Sequence, residues 1–199
     1  MSAPTNNSMI IPCVTVPFFV FDVESIGLHG EGFAVGGGVY LDGAALSEFR
    51  FACLPGAASG VKSDRDWVEK NCPYIEPTHH VPATVRAAFW TEWEKAKRRY
   101  PGICVAGECL WPVEANFVTE CVAQDPDARR FEGPYPFHEI ASYMAAAGMN
   151  PMAIYERQPS EQPAHDPLAD ARLSARLLAM AINKIQANNA ALKAFQSRG

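Results

Sequence analysis

Apolar and polar positions alternate between two periods along this chain. Residues 17 to 23, Pro-Phe-Phe-Val-Phe-Asp-Val, form an aromatic and β-branched run that is apolar on both faces and too short for a typical helix, which predicts a central strand. Two further strand-like runs follow at about 32–41 (GFAVGGGVYL) and 46–54 (LSEFRFACL), joined by Asp42-Gly43, a dipeptide that favours a tight hairpin turn. An antiparallel meander of three strands is expected. After a Gly/Ser/Pro-rich loop from Pro55 to about Ser63 the period changes: Val85, Phe89, Trp93 and Ala96 mark one apolar helical face within residues 82–100, and Pro101-Gly102 stops it. Ile103 to Ala106 reads as a buried strand, Val113 to Ala123 as a helix, and Tyr143 to Ala147 as part of another short helix. The final helix is expected from about Pro167 to Ile185, with Leu173, Leu177, Ala181 and Ile185 on one stripe. This order predicts an α/β fold: a mixed sheet, antiparallel meander first and parallel strands after it, with helices on both faces.

Length narrows the organisation. With 199 residues, 48% of them hydrophobic, a single domain with one substantial core is expected over residues 13–186. Residues 1–12 are expected to be a flexible N-terminal tail, and the Ala/Asn/Gln-rich stretch 187–199 a frayed C-terminal one. The chain starts without the basic and apolar segments of a secretory signal and contains no apolar run of membrane-spanning length, so no membrane contact and a cytoplasmic location are expected. Six cysteines without any CxxC pair argue against a zinc ribbon or a disulfide framework and for reduced core thiols. A formal net charge of −5 disfavours a long electrostatic grip on nucleic acid. It suits a site that holds only a strand end, or one rich in metal-binding carboxylates. The basic run Lys95 to Arg99 ends a helix and complements its dipole, which accounts for it without a nucleic-acid patch.

Three acids and a histidine change the picture. The two-residue period of the first strand puts Asp22 and Glu24 on one face, with α-carbons about 6.5 Å apart, directly after core residues. Two such acids repel each other unless protonated or bridged by a cation; alone, they also fit a strand that ends in solvated residues. Asp170 lies three and seven residues before Leu173 and Leu177 and so shares their inward stripe, although an acid in a first turn also has the helix dipole to explain it. His165 precedes Pro167, a proline suited to a helix start, and by itself would be a surface loop residue. His79-His80 have no accompanying ligand at recognisable spacing and read as loop residues.

In these motifs the chain resembles the DEDDh 3′→5′ exonucleases of the ribonuclease H-like superfamily. Phe21-Asp22-Val23-Glu24, followed by Ser25-Ile26-Gly27, is similar to the family's Asp-x-Glu strand and its Thr-x-Gly; His165-Asp166-Pro167-Leu168-Ala169-Asp170 is similar to its His-x-x-x-x-Asp helix entry. The middle motif departs from the family's Asp. Glu114, three residues before Phe117, holds that position, and Glu108 is the alternative. The stretch 61–80, with Trp67 and Asn71-Cys72-Pro73, lacks the His-Gly-Ile-Thr found in many relatives. The resemblance implies a ribonuclease H-like fold and two divalent cations, Mg2+ or Mn2+, held by Asp22, Glu24, Asp170 and Glu114. It also implies His165 as general base for the attacking water and stacking of terminal bases near Leu28 and Phe117. The partner it implies is the 3′ end of a nucleic acid, preferably single-stranded, from which 5′-mononucleotides are released. Two other readings remain: a binding module inactivated by its altered middle motif, and a metal-dependent phosphoesterase acting on a non-nucleic substrate.

Overall fold

In a computed structural model, which describes residues 16–197, five strands form one mixed sheet in the order β3-β2-β1-β4-β5. Strands β1 (Phe18–Ser25), β2 (Gly32–Leu41) and β3 (Ala44–Ala52) are the antiparallel meander. Strands β4 (Cys104–Gly107) and β5 (Phe137–Glu139) add in parallel on the other side of β1. The helices are α1 (Lys62–Asn71), α2 (Pro82–Arg99), α3 (Val113–Ala123), the single turn α4 (Pro126–Arg129), α5 (Ile140–Ala146) and α6 (Pro167–Gln196).

The central strand explains the layering. Its odd residues Phe19, Phe21 and Val23 join one core with Val85, Phe89 and Trp93 of α2 and Phe117 of α3. Its even residues Phe18 and Val20 join a second core with Ile140 and Met144 of α5 and Leu177, Leu178, Ala181 and Ile182 of α6. A strand apolar on both faces requires cover on both. The same alternation carries Asp22 and Glu24 onto the α6 face, where the apolar residues of β1 end.

Two backbone features set that face. Asp42 and Gly43 both have positive φ, 50° and 78°, as a two-residue type I′ turn requires. Gly36, paired with Asp22, lies so close to the start of α6 that a Cβ there would fall 2.2 Å from the Leu168 nitrogen. A side chain at residue 36 would push the first turn of α6 off the sheet.

Several expected boundaries differ. The turn closes immediately, so β3 begins at Ala44 rather than residue 46. The short helix is Ile140–Ala146, beginning three residues before the expected segment. Strand β5 has only three residues and no periodic signature. Helix α1 buries only Val68, which leaves almost no hydrophobic period to read. Helix α6 continues to Gln196 rather than ending at about Ile185: no Gly or Pro interrupts it before Gly199, and its alanines are strong helix formers. The tail expected over residues 1–12 lies outside the described residues. Of the described cysteines, Cys53 and Cys121 are buried free thiols, Cys72 and Cys104 are half-buried, and Cys109 is exposed. Among the described residues no helix is long and apolar enough to cross a membrane.

Candidate active site

The two terminal motifs meet. Asp166 caps α6, its carboxylate accepting from the Leu168 and Ala169 amides at 3.0 and 3.1 Å, and Pro167 occupies the first turn. This start directs Asp170 toward β1, where one carboxylate oxygen from each of Asp22, Glu24 and Asp170 lies within 4.8 Å of the others. His165 adopts a left-handed backbone, φ 61°; its amide donates to Asp170 Oδ2 at 3.0 Å, tying the loop to the helix. Its ring Nδ1 stands 3.9 Å from Glu24 Oε1.

Glu114, in the first turn of α3, is buried. Its Oε1 accepts from the amide of Val23, between the two acids of β1, at 3.3 Å. Glu108 follows β4 and accepts from Ser174 Oγ at 3.4 Å. Glu139 accepts from the Cys109 and Leu110 amides, each at 3.0 Å, which fixes the turn between these two acids.

Crowding of acids in a desolvated place dominates the electrostatics. Burial, and then the neighbouring Glu114, Glu24, Asp170 and Glu108 in falling order, hold the Asp22 carboxyl well above the usual range. Burial and then Asp170 push Glu24 up to about 8. Burial pushes Glu114 up to about 7, with the Val23 amide pulling the other way. As a neighbour of Asp22, Glu114 outranks Glu108. The Arg157 guanidinium lies against Asp170 and also donates to the Glu161 carbonyl at 2.8 Å. Arg157 supplies one positive charge where several negative ones meet. An all-oxygen donor set with surplus negative charge fits a hard divalent cation such as Mg2+ or Mn2+.

This crowding predicts a pH signature. The folded protein holds the Glu24 proton more tightly than the unfolded chain, so ionisation of Glu24 disfavours the fold. Below the usual 4.5 both states are protonated and nothing is lost; from there to about 8 the stability of the cation-free protein falls. Glu114 acts in the same sense between 4.5 and about 7. Melting curves in EDTA should therefore show a midpoint that declines across this range, and saturating Mn2+ should remove most of the decline. A midpoint independent of both pH and Mn2+ would contradict the arrangement.

Beside the acids lies a cleft of about 550 Å³ whose lining includes Glu24, Leu28, Trp67, Val113 and His165. Leu28 is 64% exposed there. The expectation for Phe117 is overturned. It is 1% exposed and packs edge-to-face on Phe89 with ring centroids 5.2 Å apart, because its side of α3 faces the core beneath β1, so it cannot meet a base. Val113 of α3 reaches the cleft instead. Trp67 was not singled out from sequence as a site residue. It is half-exposed on α1, edge-on to the His165 ring at 5.4 Å between centroids. A tryptophan among the charged residues of α1 was the available signal.

No family model matches the chain, and no curated protein matches it in sequence. Among solved structures it is similar to S. pombe Pop2p in its Mg2+- and Mn2+-bound form, with a TM-score of 0.59 and 12% identity over 83% of this chain and 82% of that one. The fold is ribonuclease H-like.

Proposed function

We propose that this chain is a divalent-cation-dependent 3′→5′ exonuclease that trims a single-stranded nucleic-acid end to 5′-mononucleotides. The observation that carries the reading is the convergence of Asp22 and Glu24 on β1 with Asp170 at the start of α6, with the His165 ring beside Glu24. Its fold agrees, since Pop2p shares it and holds Mg2+ and Mn2+.

Asp22, Glu24, Asp170 and Glu114 would hold the cations, two in number by the resemblance. When bound, these supply positive charge to the phosphodiester and the departing 3′ oxygen. His165 takes the proton of the attacking water, from a loop that its own amide anchors to Asp170. Leu28 and Trp67 offer the terminal base an apolar edge and an aromatic face. The net charge of −5 fits a grip limited to the strand end. Glu114 in place of Asp puts its carboxylate one methylene farther from the backbone, and its bond to the Val23 amide supports it as the middle acid ahead of Glu108.

The test uses single-stranded DNA, RNA and dinucleotides labelled at the 5′ end, alongside closed single-stranded circles and a small phosphoester, with Mg2+, Mn2+ or EDTA. A cation-dependent ladder shortening from the 3′ end, with closed circles intact, is expected. Cleavage of circles would replace the reading with an endonuclease. Binding without cleavage would replace it with a binding module, and hydrolysis confined to small phosphoesters with a phosphoesterase.

A further inference from the structure

Next to the all-oxygen cluster lies a second group of side chains with different chemistry. Cys72, at the C-terminal cap of α1, directs its thiol at Glu24 Oε2 across 3.8 Å. His165 Nδ1 faces the other oxygen of the same carboxylate across 3.9 Å. One ligand atom from each of Glu24, Cys72 and His165 lies within 4.8 Å of the others. They come from three separate segments: β1, the end of α1 and the loop before α6. Two of the backbones are pinned: the Cys72 amide donates a hydrogen bond to the Val68 carbonyl at 2.9 Å, and the His165 amide donates one to the Asp170 carboxylate.

We propose that Glu24, Cys72 and His165 form a site for a thiophilic divalent cation, Zn2+ in particular, and that occupation of this site switches off the neighbouring hydrolytic centre. Sulfur, imidazole and carboxylate together are a zinc donor set, whereas Mg2+ takes oxygen ligands and avoids thiolate. Tetrahedral Zn2+ with bonds of about 2.0–2.3 Å holds its ligand atoms roughly 3.3–3.8 Å apart. The contacts at 3.8 and 3.9 Å run to different oxygens of the carboxylate, and with all three ligand atoms within 4.8 Å of one another the set needs to close by on the order of 1 Å at most. Binding releases the thiol proton to solvent and leaves a thiolate on the metal. A fourth position stays open on the cleft side, where His165 is half-exposed.

The switching half of the proposal rests on the exonuclease reading; the binding half does not. Glu24 belongs to both clusters, so it would be drawn toward one metal at the expense of the other. A metal on the His165 ring also removes the nitrogen lone pair and the mobility that proton transfer from water needs. The soft cation therefore competes for a ligand and immobilises the base in one event.

Co2+ is the probe, because it accepts zinc geometry and reports sulfur ligation by a thiolate-to-metal charge-transfer band. Titrating the cation-free full chain should give that band at one equivalent, together with the visible bands of four-coordinate Co2+, and Zn2+ should bleach both. Cys72→Ser and Cys72→Ala should lack the charge-transfer band while keeping the wild-type melting curve. His165→Ala should bind Co2+ more weakly. In the nuclease assay with Mg2+, Zn2+ in slight excess over protein should inhibit the wild type. Cys72→Ser should need at least about tenfold more Zn2+, the loss that removal of a mere outer partner of a metal site already produces. No thiolate band, or an unchanged band in both Cys72 variants, would overturn the site. A Cys72-dependent band with no inhibition by Zn2+ in an active enzyme would overturn the switch. A Cys72-dependent band in a chain that hydrolyses no nucleic acid would leave the metal site standing and remove the exonuclease reading.

Discussion

Asp22→Asn should abolish cation-dependent hydrolysis and at the same time raise the melting temperature of the cation-free protein. The two effects share one cause. Asp22 is crowded by Glu114, Glu24, Asp170 and Glu108 in a desolvated position that holds its carboxyl well above the usual range. That arrangement opposes folding until a cation offsets it. Removing the charge relieves the crowding and removes the ligand. If the acid contributes about 4 kcal/mol of charge stabilisation in the transition state, rate falls about a thousandfold. Each kcal/mol of relieved repulsion should raise the midpoint by about 2–4 °C for a domain of this size. Asp170→Asn provides the contrast: it should lose activity as fully but gain no stability, because Arg157 loses its carboxylate partner. Near-wild-type turnover in Asp22→Asn, or a lowered midpoint with activity intact, would show that Asp22 has a purely structural role.

His165→Ala should keep its affinity for the hydrolytic cation, Mg2+ or Mn2+, and lose about 10²- to 10⁴-fold in rate, the usual range for a general base. The expectation follows from where the residue is attached. Its amide, which alanine retains, bonds to Asp170, while its ring faces Glu24 and the cleft without contributing to the cluster of Asp22, Glu24 and Asp170. Mn2+ affinity measured by calorimetry should therefore change little while single-turnover rates collapse. A comparable fall in Mn2+ affinity would make His165 a ligand of the hydrolytic cation rather than a base. Full rate in the variant would assign proton transfer elsewhere.

Local pattern by itself determined much of this molecule. The apolar run of β1 dictates a central strand covered on both faces, and its two-residue period puts Asp22 and Glu24 together. Asp42-Gly43 dictates a tight hairpin because both residues tolerate positive φ. The stripe through Leu173, Leu177 and Ala181 on α6 carries Asp170 inward. These follow from periodicity and turn chemistry, which act over a few residues and are written in adjacent letters. Tertiary structure decided which surfaces meet. Phe117 reads as a site aromatic three residues after Glu114, yet its rotation about α3 puts it under β1 against Phe89, and only packing sets that rotation. Trp67, Cys72 and Arg157 reach the site from segments with little periodic signal, the first two brought there by α1, whose one buried residue is Val68. Cys72 and Glu24 are 48 positions apart, and Arg157 meets Asp170 across a loop. Contacts at such separations depend on the path of the whole chain around the sheet, which no short window of sequence encodes.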